Sequence, residues 1–188
     1  MKSYLLFCLI ILGTVAFAQE TATPQLELGA NYSYTRINPG AGLSSYGANG
    51  GYGDIEYNFS SNFGFVTELG GSYSYLVHGI SVNDITFEYL FGPRFNIRHG
   101  RFNPYLQTLF GGQRFSNGFN PGGSNPFLNA SQNDFTMALG GGLNIAVSNH
   151  VSVRAFQVDY FPVEIATSNH LQNNLRASAG FVFRLGSK

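Results

Sequence analysis

From residue 25 to the end of the chain, apolar and polar residues alternate with a period of two. In the last such segment Leu175, Ala177, Ala179, Phe181, Phe183 and Leu185 fall on one side, and Arg176, Ser178, Gly180, Val182 and Arg184 on the other. That is the repeat of a β-strand, whose successive side chains point to opposite faces. Eight segments carry it, at approximately 25–36, 47–59, 63–75, 84–97, 104–115, 134–147, 151–161 and 174–185, and none has a helical period. Each is long enough to cross a bilayer as a tilted strand, which takes about 9–11 residues. Tight turns follow the second, fourth and sixth segments, at 60–62, 98–103 and 148–150, and longer stretches follow the others, at 38–46, 76–83, 116–133 and 162–173. Short turns at one end and long loops at the other are the layout of an outer-membrane barrel.

The two faces differ sharply. One carries residues such as Leu26, Leu28, Tyr32, Ile55, Tyr57, Phe65, Leu69, Phe87, Phe91, Leu106, Phe110, Phe135 and Leu139, with almost no charge. The other carries Glu27, Asn31, Asp54, Glu56, Asn58, Glu68, Glu88, Arg94, Asn96, Gln107, Gln113, Asn144, Arg176 and Arg184, interspersed with Gly, Ser and Thr.

A soluble, lipocalin-like barrel would turn the apolar face inward; a membrane barrel would turn it outward. An eight-stranded barrel has an interior just wide enough for its own side chains, and the many Phe and Tyr residues would overfill it. On the outside they are at home in lipid, where an Arg would cost about 2–4 kcal/mol near the midplane. The expected fold is therefore all-β, an eight-stranded antiparallel up-and-down transmembrane β-barrel with the arginines pointing in. Tyr34, Tyr57, Phe59, Tyr75 and Tyr105 are expected in the aromatic girdles at the two interfaces. The seventh segment breaks parity: Arg154 points inward while Val151, Val153 and Ala155 face lipid, which would put Gln157 and Asp159 in lipid too. A β-bulge near Phe156 restores both to the lumen; the alternative is that Asp159 lies above the membrane.

Composition agrees with an exported membrane protein. Lys2, an apolar run from Tyr4 to Val15 and the small-x-small site Ala16-Phe17-Ala18 make residues 1–18 a cleavable signal peptide, too short for a spanning helix of about 20 apolar residues. Residues 19–188 then form one barrel domain. Cys8, the only cysteine, lies in the signal, so no disulfide or thiolate site is expected in the mature chain. Charged residues are 11% of the chain, against about 25% in soluble domains. Net charge is +0 with no basic stripe, so nucleic acid is not an expected partner.

The last segment holds the sharpest local motif, Ser178-x-Gly180-x-x-Phe183-x-Leu185, followed by Gly186, Ser187 and Lys188. With the strand pattern, it resembles the small outer-membrane barrel superfamily of the OmpA transmembrane domain and the OmpX and opacity-type proteins. The resemblance implies a place in a Gram-negative outer membrane, outer-membrane lipid and lipopolysaccharide as surroundings, and the barrel-assembly machinery reading Ser178, Gly180, Phe183 and Leu185 as its signal. Many members end on an aromatic residue, and this chain does not. No second domain is expected after the barrel, and so no peptidoglycan-binding module of the kind that full-length OmpA-type proteins carry.

The inward charges form the nearest thing to a functional constellation. Glu27, Asp54, Glu56, Glu68 and Glu88 lie on strands one to four, Arg94 on strand four, and Arg154, Arg176 and Arg184 on strands seven and eight. Closing strand eight on strand one brings the arginines toward Glu27 and its neighbours. Buried charges must be paired, so a salt-bridged, blocked lumen is the first expectation; a narrow ion path and a set of perturbed carboxylates are the others. His150-Val151-Ser152 with Glu164 is similar to the His-x-Ser and distant Glu of outer-membrane lipid A deacylases. However, about ten residues of strand, roughly 30 Å, separate the two parts. His78, His99, His150 and His170 lie in turns and loops with no partner at metal-ligand spacing, and Gly140, Gly141 and Gly142 sit mid-strand, where barrel curvature favours glycine. No catalytic residue, metal or cofactor is expected. The expected role is structural or surface-interacting, with a narrow pore and a lipid hydrolase as alternatives.

Overall fold

The computed structural model describes residues 23–38, 44–77, 80–118, 132–165 and 170–187. The signal segment 1–18 and His78 lie outside the described residues, and the side chains of Tyr75 and His170 outside the described ones. Eight strands run in chain order: β1 (Pro24–Ile37), β2 (Tyr46–Asn58), β3 (Phe63–Val77), β4 (Ile80–Asn96), β5 (Phe102–Gly118), β6 (Gln132–Ala146), β7 (Val151–Ile165) and β8 (His170–Ser187). Each pairs antiparallel with its neighbours in sequence, and β8 closes on β1 with Glu27 opposite Arg184.

Closure follows from the two-faced pattern: a sheet with one apolar and one polar face can satisfy every strand edge by meeting itself. The apolar face points outward, as expected. Leu106, Tyr32, Phe181 and Ile55 are each more than half exposed, whereas Arg94, Arg154 and Arg176 are at most 1% exposed. So large an outward apolar surface needs lipid to cover it.

The strands are longer than their apolar cores suggest. The segment 76–83 is almost wholly strand, with Leu76 paired to Ser81 and Val77 to Ile80. In 162–173, β7 runs to Ile165 and β8 begins at His170. Backbone pairing continues past the apolar band because it needs no apolar side chains, so the ends of these hairpins read as loop in the sequence. Of the connections at this end, 119–131 is the long one.

At the other end the turns are tight. Ser60 Oγ accepts from the Asn62 and Phe63 amides, and Ser148 Oγ from those of His150 and Val151. Gly100, at φ 57°, supplies the left-handed residue of the β4–β5 turn. The bulge in β7 is present: the pairing with β8 shifts between Arg154 and Gln157, leaving Ala155 and Phe156 both outward and Gln157 and Asp159 both buried.

Candidate functional site: the charged lumen

Tyr105 departs from expectation. It does not join an aromatic girdle but points inward, 2% exposed, because β5 sends Leu106 and Phe110 to lipid and its odd-numbered residues to the lumen. Tyr52 of β2 points inward for the same reason of parity, opposite the outward Ile55 and Tyr57.

Each inward tyrosine has a glycine as its pairing partner, Tyr52 with Gly70 and Tyr105 with Gly142. A Cβ on Gly142 would run into the Tyr105 phenol, and one on Gly70 into the Cβ of Tyr52. The same rule holds for Asp54 over Gly29, Asn31 over Gly180 and Asp159 over Gly140. Lumen glycines thus make room for a large neighbour one strand away and, at Gly140, Gly142 and Gly180, for a strand carbonyl that comes closer still.

The large side chains form three tiers. Nearest the short turns, Glu27 accepts from Arg98 Nη2 at 2.6 Å and from Asn58 Nδ2 at 3.2 Å, while Arg184 Nη2 donates to the Ser148 carbonyl. In the middle, Arg154 grips Asp54 with two nitrogens at 2.8 and 3.1 Å, and Asn31 Nδ2 donates to the same carboxylate at 2.7 Å. Arg94 donates to Glu56 at 2.8 Å and to Gln107 at 2.7 and 3.0 Å. The Tyr105 ring lies against both guanidiniums, 4.4 Å from Arg94 and 5.5 Å from Arg154, and its hydroxyl donates to Gln157 Oε1 at 2.6 Å.

In the third tier Arg176 is a hub. It reaches Glu68 at 2.5 Å, Glu88 at 2.7 Å and Asp159 at 2.9 and 3.2 Å, between the rings of Tyr52 at 4.6 Å and Phe161 at 4.8 Å. Gln107 and Gln157 donate the remaining bonds to Asp159, at 3.1 and 2.8 Å. Beside the hub, Val66, Leu90, Leu109, Ala138, Phe161 and Val163 pack as an apolar cluster within the barrel. Cations stacked on aromatic faces and paired with carboxylates offset the cost of burying them.

The inward charges are thus brought together, but not in the expected pairs. Arg184 stands beside Glu27 across the β1–β8 seam, yet the ion pair to Glu27 comes from Arg98, just beyond β4. Arg154 and Arg176 reach across the lumen to β2, β3 and β4, because an eight-stranded barrel is narrower than two extended side chains. Arg98 was hidden in a stretch that reads as turn; its even number, in step with Arg94 and Asn96, is the signal that it points inward.

The hydrolase pattern is not assembled. Ser152 is buried in the lumen, His150 is exposed in the turn before β7, and Glu164 is exposed near the far end of that strand. His99 is likewise exposed. Among the described residues no group of three or more His, Cys, Asp or Glu side chains could hold a metal ion.

Several crystal structures share this architecture. Neisserial surface protein A matches with a TM-score of 0.64 at 16% identity, over 86% of this chain and 97% of that one. OprG of Pseudomonas aeruginosa matches with a TM-score of 0.60 at 10% identity, over 91% and 100%. Ail, the attachment invasion locus protein of Yersinia pestis, matches with a TM-score of 0.52 at 16% identity, over 85% and 99%. At such identities the likeness is one of fold. None of the curated proteins compared matches the chain. The family model for the outer membrane protein beta-barrel domain matches residues 5–183, and the chain, an outer-membrane β-barrel of Gram-negative type, belongs to that family.

Proposed function

We propose that the protein is a non-enzymatic, non-conducting barrel that presents its longer connections at the cell surface for contact with an outside partner. The observation that carries this is the cluster at Arg176, where three carboxylates, two aromatic rings and an adjoining apolar cluster meet within the barrel; from that filling we infer a lumen closed to ions. Residues 1–18 serve as the export signal, and Ser178, Gly180, Phe183 and Leu185 as the mark read by the assembly machinery. The short turns face the periplasm and the connections 38–45, 78–79, 119–131 and 166–169 face outward, following the usual arrangement of such barrels. Two structural neighbours are named as a surface protein and an attachment protein, which fits a surface role.

The test is twofold. Purified barrel in a planar bilayer is expected to give no steady conductance, and cells expressing the protein are expected to lose binding to their target when 119–131 is replaced by a short Gly-Ser linker. Stable unitary currents from the wild type would favour the pore reading. Hydrolysis of lipid A that is lost on Ser152→Ala would favour the enzyme.

A further inference from the structure

The β5–β6 hairpin is paired within itself without a break, from Phe102 opposite Ile145 to Phe115 opposite Gln132. Each of its outer edges is interrupted at a proline. Among the described residues β5 has no pairing with β4 at Leu109 and Thr108, which would oppose Gly92 and Pro93. In the same way β6 has none with β7 at Ala138 and Met137, which would oppose Phe161 and Pro162. On their other sides β4 pairs with β3 straight through Pro93, and β7 with β8 straight through Pro162. The N–H that each proline lacks therefore belongs on the hairpin side, and the carbonyls of Thr108 and Met137 lose the ladder donor that another residue would supply. We propose that the half of the hairpin beyond these prolines, 109–115 with 132–138, is the opening unit of the barrel: it leaves the wall as one piece while the other strands stay paired.

What ties the hairpin to its neighbours lies mostly on the short-turn side of the prolines. There Asn103 donates to Asn96 at 3.0 Å and the Tyr105 hydroxyl to Gln157 at 2.6 Å, while Gln107 accepts from Arg94 at 2.7 Å and donates to Asp159 at 3.1 Å. Beyond the prolines Thr136 Oγ1 donates to the Pro162 carbonyl at 2.8 Å, and Leu109 and Ala138 join the apolar cluster of Val66, Leu90, Phe161 and Val163. Opening that cluster to water would be costly. Opening it to acyl chains, which are as apolar as the side chains they replace, costs little. The ion pairs and rings of the Arg176 cluster come from β2, β3, β4, β7 and β8, so none of them parts when the hairpin moves.

Amide exchange tests this. Phe110, Gly112, Phe135 and Met137 share the parity of the residues opposite the prolines and send their amides across the two seams, whereas Leu109, Gly111, Thr136 and Ala138 send theirs into the hairpin. The barrel in detergent micelles would be transferred to deuterated water and followed by nitrogen-15 NMR. The seam amides should exchange at one common rate, at least about tenfold faster than the hairpin-internal amides and than those of the uninterrupted β1–β2 pairing. Pro93→Val with Pro162→Val returns an N–H to each seam and should slow the seam amides about tenfold while leaving the internal ones unchanged. Equal exchange in the two sets would mean that the strands fray singly, and would overturn the proposal whether or not the double variant folds. Unchanged seam rates in a folded double variant would overturn it too, since the prolines would then weaken nothing.

Discussion

Tyr105 on β5 and Gly142 on β6 are pairing partners, and the phenol of the first occupies the space a Cβ on the second would need. Gly142→Ala forces the ring to move; Gly142→Val forces it off the Arg94 and Arg154 guanidiniums and away from Gln157. Overpacking of this kind costs about 1–3 kcal/mol. Urea unfolding in detergent is expected to show a loss of that size for Gly142→Val, a smaller one for Gly142→Ala, and partial recovery in Gly142→Val with Tyr105→Ser, since the Phe156 carbonyl of β7 lies even closer to the added Cβ. No recovery would place the strain in the backbone instead.

That pairing also shows what could be read from the sequence. Period two and the segregation of charge were enough to place eight strands, decide which face meets lipid and locate a bulge beside Phe156. The inward course of Tyr105 followed from the same parity, but a tyrosine near a segment end also suits a membrane interface, and that general tendency misassigned it. Partner choice across the lumen was not legible. Which acid Arg176 meets depends on strand stagger and barrel width, neither of which is written in the alternation of any one strand.

Arg176 supplies the next test. Removing it leaves Glu68, Glu88 and Asp159 facing one another without their shared cation. Breaking a buried ion cluster by taking one partner is commonly worth 3–5 kcal/mol, so Arg176→Met should lower stability by about that amount or prevent folding. Adding Glu68→Gln, Glu88→Gln and Asp159→Asn removes the mutual repulsion and should restore folded, heat-modifiable protein on gels. If the quadruple variant is no better than the single one, lost packing against Tyr52 and Phe161 matters more than charge.

The bulge in β7 admits a deletion test. Ala155 and Phe156 together occupy one step of outward-facing strand, so deleting Phe156 leaves Ala155 alone in that step and keeps Gln157 and Asp159 in the lumen. Deleting Val158 instead makes Gln157 and Asp159 adjacent, so that alternation sends one of them to lipid. Folded yield in detergent should survive the Phe156 deletion and fall sharply for the Val158 deletion. Equal yields from the two deletions would mean that alternation does not set the register of β7.

The four residues proposed as an assembly mark divide by surroundings, and this separates assembly from stability. Ser178 shares a 2.8 Å hydrogen bond with the Tyr52 hydroxyl, and a Cβ on Gly180 would strike the backbone of β1 and the Asn31 amide. Phe183 and Leu185 face outward, on the apolar side of the barrel wall. Gly180→Val should therefore destabilise the barrel wherever it folds, in purified detergent as in cells. Phe183→Ala removes an outward ring whose place lipid can fill, so refolding in detergent should proceed with a midpoint near that of the wild type. If the machinery reads the ring, the same substitution should sharply reduce the heat-modifiable form recovered from outer membranes. Parallel loss in detergent and in cells would reduce Phe183 to a packing residue, and unchanged recovery in both would remove it from the mark.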